Sequence, residues 1–219
     1  MYSSGLVLSL WAYLVGRHQQ DGVLTAARLW ARLCLAALRL FCGITVEPSG
    51  LEQLPAGSAL IAAQHQSALD IFIWLALLPR PAFVFKSELG KIPIFGTMLI
   101  PGGMIPVNRG GGGAALQSMV AGCNTALADG RQIILFPEGT RVATGKRATL
   151  RHGITAVAHS TNTEIFPAAT NSGQHWGARA FGKTPGPVHL KIFAPLPPTL
   201  LRDEIMAELI KDFYDLGAK

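Results

Sequence analysis

The stretch Ala115–Arg141, ALQSMVAGCNTALADGRQIILFPEGTR, contains the pattern that decides the fold. Leu116, Met119, Val120, Cys123 and Leu127 recur at helical spacing, which predicts a helix over Ala115–Ala128 with one apolar face. Gly130 supplies the stop, because glycine accepts the left-handed conformation in which many helices end. Gln132–Phe136 then reads as a short buried strand, closed by a Pro137-Glu138-Gly139 turn and followed by Thr140 and Arg141. Helix, stop, apolar strand and polar loop is the unit from which layered α/β proteins are built.

The same alternation extends on both sides. Ala59–Ala63, Ala82–Phe85, Met104–Val107, Glu164–Ala169 and Val188–Ala194 read as further strands, and Leu200–Leu216 as an amphipathic closing helix. The expected fold class is therefore α/β, a largely parallel sheet flanked by helices. Gly110–Gly113 and Gly182–Pro187 are loop punctuation too short to link domains, and no internal repeat is evident.

The first 43 residues have a different character. Gly5–Val15 is a short apolar stretch, and Val23–Phe41 is helical in pattern. Its Arg28, Arg32 and Arg39 fall within about 40° of one another around a helix. Leu29, Trp30, Leu33, Ala37, Leu40 and Phe41 lie around the other side, with Leu35 intruding among the arginines. A basic stripe opposite an apolar one suits a helix lying in the headgroup plane of a membrane; a helix packed on a soluble core is the alternative. The expected division is thus residues 1–43 as amphipathic membrane-interface helices and residues 44–219 as the main domain.

The 219 residues are 49% hydrophobic and only 15% charged, greasy beside the roughly 25% charged of ordinary soluble chains. No uncharged apolar run reaches the about 18 residues of a spanning helix, and the N-terminus lacks the basic leader and cleavage site of a secretory signal. The net charge of +6 admits nucleic acid, anionic membranes or phosphorylated small molecules as partners. Nucleic acid is disfavoured, since no basic tract is interleaved with aromatics and no zinc-finger or helix-turn-helix spacing occurs. Cys34, Cys42 and Cys123 sit in apolar settings with no metal-ligand pattern, as reduced thiols of a cytosolic compartment do.

Polar residues follow directly on the predicted strand ends: His65 and Asp70, Lys86, Arg109, Glu138 to Arg141, and Asn171. In open α/β sheets ligands bind outside the carboxyl ends of the strands, so these residues converge on one edge. His65 and Asp70 would stand about 140° apart on a continuous helix and could not meet there. They meet if His65 precedes the helix, with Ser67 as N-cap and Asp70 in the first turn. Asp70 then either caps the helix or orients the imidazole, leaving the second ring nitrogen free as a base. Lys86 is either an electrostatic contributor or a surface lysine. His18, His152, His159, His175 and His189 read as structural. Phe136-Pro137-Glu138-Gly139-Thr140-Arg141 suits a rigid platform for an anion, although alone it reads equally as a β-turn with a surface arginine.

At these residues the sequence resembles the 1-acylglycerol-3-phosphate acyltransferases (lysophosphatidic acid acyltransferases). The His-x4-Asp block is Gln64-His65-Gln66-Ser67-Ala68-Leu69-Asp70, and Lys86-Ser87-Glu88-Leu89 precedes Pro93-Ile94-Phe95-Gly96. Further blocks are Gly103–Arg109, Phe136–Arg141 and Ile165–Ala169, the last continuing into Asn171-Ser172-Gly173. Gln64 replaces the commoner asparagine, and Asn108 stands where aspartate is frequent. The resemblance covers roughly residues 45–200. It implies His65 as general base and Asp70 as its orienting partner. It implies Arg109, Glu138, Gly139, Thr140 and Arg141 as the lysophosphatidate site, with Lys86 beside them. The implied substrates are a lysophospholipid and an acyl thioester, either acyl-CoA or acyl-carrier protein, used without a metal or bound cofactor at the cytoplasmic face of an anionic membrane. Another lysolipid acceptor, such as a lyso-ornithine lipid, fits the same blocks, and a non-catalytic lipid-binding protein is a more distant alternative. No Gly-x-Ser-x-Gly nucleophile turn is present, which disfavours a lipase-like hydrolase.

Overall fold

The computed structural model describes residues 20–92, 96–108, 110–178 and 180–216. The Gly5–Val15 stretch, Pro93-Ile94-Phe95 and Arg109 lie outside the described residues. Helix α1 (Gln20–Cys42) leads into β1 (Ile44–Ser49), and β2 (Ala59–Ala63) follows. Next come α2 (Leu69–Leu77), β3 (Pro81–Lys86), a single turn α3 (Gly96–Leu99), β4 (Ile105–Val107), α4 (Gly112–Ala128) and β5 (Gln132–Leu135). The chain continues through α5 (Gly153–Thr161), β6 (Ile165–Thr170), α6 (Ser172–His175), β7 (Gly186–Ile192) and α7 (Arg202–Ile210), then widens into a π-helical turn over Lys211–Leu216.

The strands form one sheet in the order β1-β7-β6-β2-β5-β3-β4, parallel at every pairing except β6 with β7. The central β2 is apolar throughout and buried along its whole length, as a strand covered on both faces must be. Its side chains alternate between two cores. Ile61 packs with α1 and α2 residues such as Leu38 and Ile73, whereas Leu60 packs with Met119 of α4, Ile154 of α5 and Ile205 of α7. Both lateral strands contain proline, Pro48 in β1 and Pro106 in β4, where a missing N–H costs no ladder bond.

The reversed pairing of β7 has a positional effect. The carboxyl ends of β2 to β6 and the amino ends of β1 and β7 all lie on one edge of the sheet. The α1–β1 connection at Gly43 therefore opens on the same side as the loops that follow β2, β3, β5 and β6.

Helix α1 buries one face, with Leu24, Ala31, Cys34 and Leu38 joining the core beside α2. Its opposite stripe leaves Leu29, Leu33, Leu40 and Phe41 exposed, bordered by Arg32 and Arg39. The expected boundary after residue 43 thus falls at a one-residue connection, and the inner face of α1 is continuous with the core of the sheet. Among the described residues no helix is long and apolar enough to cross a membrane. Cys34 and Cys123 are buried, Cys42 is half-buried, and all three are free thiols.

Some local expectations shift. Strand β1 was not visible in the apolar pattern, because Pro48 and Glu47 interrupt it. Ser67 does not hold the N-cap position, which falls to Ala68, and α2 begins at Leu69. The capping chemistry survives one residue early: Leu69 N–H donates to Ser67 Oγ at 3.1 Å, and Ser67 N–H donates to an Asp70 carboxylate oxygen at 2.9 Å. The closing helix is shorter than Leu200–Leu216, since its last turns widen after Ile210. That widening directs Tyr214 toward the loop after β5.

Candidate active site

His65 lies two residues beyond the end of β2 and is held at both backbone groups and on its ring. Its N–H donates to Glu138 Oε2 at 2.6 Å, and its carbonyl accepts Val142 N–H at 2.8 Å. Its ring stacks on Phe136 with centroids 4.0 Å apart and planes 19° from parallel. The loop after β5 therefore grips both backbone groups and one face of the imidazole.

Asp70 is 2% exposed and lies in the first turn of α2. Its Oδ2 accepts His65 Nδ1–H at 2.9 Å together with the Gln66 and Ser67 N–H groups, each at 2.9 Å. Its Oδ1 accepts the hydroxyl of Ser172, at the start of α6. A buried carboxylate needs such donors in place of the water it has lost. Asp70 thus closes the turn into α2 and also orients the histidine. With Nδ1–H committed to Asp70, Nε2 is the nitrogen left to accept a proton.

Glu138 lies beneath this pair and is 4% exposed. Its two oxygens are taken by His65 N–H and by the Tyr214 hydroxyl at 2.7 Å. Burial pushes its carboxyl up to about 7; the Tyr214 and His65 hydrogen bonds oppose the rise, and the nearby Asp70 charge adds to it. Tyr214 also accepts Ala148 N–H at 3.1 Å, so the C-terminal turn is fastened to the loop after β5 at two points. Burial, and then the bond to Glu138, push the Tyr214 phenol up.

The glutamines flanking His65 serve as struts. Gln64 accepts Thr170 N–H at 3.1 Å and donates to Phe213 O at 3.4 Å, spanning β6 and the C-terminal turn. Gln66 accepts Gly173 N–H at 3.1 Å and the Thr144 hydroxyl at 3.3 Å.

A cavity of about 500 Å³ opens in front of His65. Phe83, Phe85, Leu116, Met119 and Leu135 give it an apolar interior, while Lys86, Arg141 and Arg151 supply cationic groups. Lys86 is half-exposed and pairs with Glu88 at 3.2 Å. Gly139 and Thr140 line the wall. Gly139 adopts φ +69, and a Cβ there would sit 2.6 Å from Arg151 Nε, so glycine serves both the turn and the close approach of that arginine. Of the residues singled out in the sequence, His65, Lys86, Gly139, Thr140 and Arg141 line the cavity. Asp70 and Glu138 stand behind it, supporting His65 from the side and from below. Arg109 lies outside the described residues.

Three supporting residues were not assigned roles from sequence. Ser172 follows the end of β6, and the strand-end rule that selected Asn171 would have reached it one residue later. Arg151 carries no local signal; it arrives through the close approach at Gly139. Tyr214 depends on the widened last turn, which the apolar periodicity does not reveal. Asn171 is turned to structural use, accepting His189 N–H at 2.8 Å. Among the other histidines, His175 bonds Thr184 O at 3.1 Å and His159 bonds Leu200 O at 3.0 Å.

Residues 45–171 match the family model described as Acyltransferase. A 1-acyl-sn-glycerol-3-phosphate acyltransferase of Pseudomonas aeruginosa is 31% identical over 163 residues, covering 74% of this chain and 63% of that protein. A protein of the same name from Helicobacter pylori is 29% identical, covering 88% of this chain and 84% of its own length. The chain spans less than two thirds of the Pseudomonas relative and about half of the one from Cocos nucifera. The crystal structure of the 1-acyl-sn-glycerophosphate acyltransferase PlsC from Thermotoga maritima superposes with a TM-score of 0.73 at 22% identity. It covers 96% of this chain and 93% of that one, a likeness of fold over nearly the full length.

Proposed function

The chain belongs to the acyltransferase family, and from that premise we propose that it carries a fatty acyl group from acyl-CoA or acyl-carrier protein to the sn-2 hydroxyl of 1-acylglycerol-3-phosphate, giving phosphatidic acid. The observation that carries this reading is the His65–Asp70 pair at 2.9 Å, with His65 lining an apolar cavity that also holds Arg141, Arg151 and Lys86. The acyl chain takes the apolar interior and the phosphate meets the cations, placing the hydroxyl between them at His65.

In the proposed reaction His65 Nε2 accepts the hydroxyl proton as the oxygen attacks the thioester carbonyl. Asp70, 2.9 Å from Nδ1, holds and stabilises the imidazolium that forms. Collapse of the tetrahedral intermediate breaks the carbon–sulfur bond, and the departing thiolate takes the proton from Nε2. The proton is returned, the base is regenerated, and no acyl-enzyme forms. Glu138 holds the base in place, and no metal or bound cofactor enters the scheme. The exposed stripe of α1, with Arg32 and Arg39 along its border, lies on an anionic membrane at its cytoplasmic face in this reading.

The test is acceptor saturation kinetics at fixed donor for the wild type, Arg141→Ala and Arg141→Lys. A bidentate arginine–phosphate contact carries about 1.5–3 kcal/mol, so Arg141→Ala should raise the acceptor constant about tenfold or more. Lysine should restore only part of the loss, and the donor constant should barely move. A wild type that prefers a phosphate-free lysolipid, or an Arg141→Ala variant with an unchanged acceptor constant, would reassign the acceptor to a lyso-ornithine type.

A further inference from the structure

Two apolar groups stand exposed on the edge of the sheet where the cavity opens. On one flank Leu40 and Phe41, at the end of α1, are 76% and 81% exposed. Phe181, in the loop before β7, is 97% exposed beside them. On the other flank Leu89 and Ile92, after β3, are 40% and 43% exposed. Strands β7 and β3 are each two places from β2 in the sheet, roughly 10 Å to either side of the strand that carries His65.

The Phe181 loop is a built projection. Its neck is closed by Thr184 N–H donating to His175 O at 2.9 Å, with His175 Nδ1 3.1 Å from Thr184 O. Inside the loop, Trp176 Nε1–H donates to Ala180 O at 3.1 Å, and the Lys183 ammonium lies 4.5 Å over the Trp176 ring. The loop joins the end of α1 through Gly186 N–H donating to Gly43 O at 2.9 Å. Its polar atoms are tied inward while its phenyl ring points away from the protein.

Charge follows the same geometry. The loops of this edge carry Lys86, Lys91, Arg141, Lys146, Arg151 and Lys183, against the exposed Glu88. On the opposite edge Arg80 pairs with Asp129 at 3.0 Å, Arg131 is buried, and Glu52 and Glu164 are exposed. Exposed phenyl and leucyl groups among an excess of cations match a surface of hydrocarbon beneath anionic headgroups, whereas a protein partner would ask for a patterned acidic counterpart.

We infer that the Phe181–Lys183 loop on the site edge, together with Leu40 and Phe41 at the end of α1, is an insertion point into an anionic bilayer. His65 then lies between two apolar contacts, and a lipid enters the cavity from the bilayer without crossing water. The purpose assigned to this contact rests on the proposed lysophospholipid acceptor; the contact itself does not.

The experiment is co-sedimentation of the full chain with vesicles of phosphatidylcholine alone and of phosphatidylcholine mixed two to one with phosphatidylglycerol. Phe181→Glu should weaken partitioning into both by about tenfold or more, the scale of withdrawing a buried phenyl group. Lys183→Gln should weaken binding to the anionic vesicles about fivefold and leave the neutral ones unchanged. Arg202→Gln, on the opposite edge, should change neither. Because Phe181 is so exposed, the melting temperature of Phe181→Glu should match the wild type, as should its turnover of a short-chain, water-soluble acceptor. Wild-type partitioning by Phe181→Glu would overturn the inference, as would an equal loss in Arg202→Gln or a lipid-free dimer that Phe181→Glu dissolves. Vesicle binding that depends on Phe181, in a protein that acylates no lysolipid, would uphold the docking surface and reject the acceptor.

Discussion

Replacing Glu138 with glutamine should remove a pH dependence of stability that the wild type carries. The Glu138 carboxyl is buried, and burial raises it from an ordinary 4.5 to about 7. Between those values the folded protein holds a proton that the unfolded chain has released, so stability is greatest below 4.5 and declines as the pH rises through 7. The displacement corresponds to about 3 kcal/mol across that window. Glutamine does not titrate, but it presents an amide N–H₂ to one of two donors, His65 N–H or Tyr214 O–H, at a roughly constant cost of about 1–3 kcal/mol. Urea denaturation at intervals from pH 4.5 to pH 8 should thus show the two proteins converging, or crossing, as pH increases. The burial of Asp212 raises it to about 6 and gives a second decline of the same sign, which Glu138→Gln should leave in place. Tyr214→Phe sharpens the test. Losing the phenol's hydrogen bond should lift Glu138 further and move its part of the decline to higher pH. Parallel stability curves for wild type and Glu138→Gln would refute the argument.

Three further outcomes follow from the same geometry. His65→Ala should lower single-turnover acyl transfer by about 100-fold or more while circular dichroism and melting stay near wild type, and normal turnover would reject His65 as the base. Ser172→Ala leaves the buried Asp70 Oδ1 without the Ser172 hydroxyl, so denaturant titration should show a loss of about 1–3 kcal/mol, and turnover should fall less than in His65→Ala. Gly139→Ala puts a Cβ at φ +69 and against Arg151, so it should destabilise by about 1–2 kcal/mol and raise the acceptor constant; an unchanged acceptor constant would show that Arg151 makes no contact with the phosphate.

What could be read from the sequence depended on how far each signal reached along the chain. Strands β2 and β5 are continuous apolar runs ended by unlike residues, so their positions and the edge they point to were plain. The His65–Asp70 contact was legible because a five-residue separation admits it only around a helix start. The direction of β7 was not legible, since an isolated apolar strand carries no sign of its neighbour's orientation. Strand β1 was hidden because Glu47 and Pro48 interrupt its apolar pattern. Glu138 stood out by its place in a rare string, but the string does not say whether the carboxylate faces a ligand or turns inward. Tyr214 decides that, and Tyr214 lies 76 residues away on a turn whose widening follows no simple period. The spacing in α1 showed one apolar stripe opposite its arginines, whereas the core takes Leu24, Ala31, Cys34 and Leu38 and leaves Leu29, Leu33 and Leu40 exposed.

The bond from Tyr214 to Glu138 also bears on when the site is fully braced. Chains emerge from the ribosome N-terminus first, and the segment through Asn171 already contains the sheet's central strands, His65 and Asp70. A chain at that stage has Glu138 but neither the Ser172 hydroxyl that holds Asp70 nor the phenol that holds Glu138. Each carboxylate then has one oxygen held, Asp70 Oδ2 and Glu138 Oε2, and one whose side-chain partner is still missing. The Lys211–Leu216 turn supplies the phenol, so this bracing of Glu138 is absent until that turn has been made.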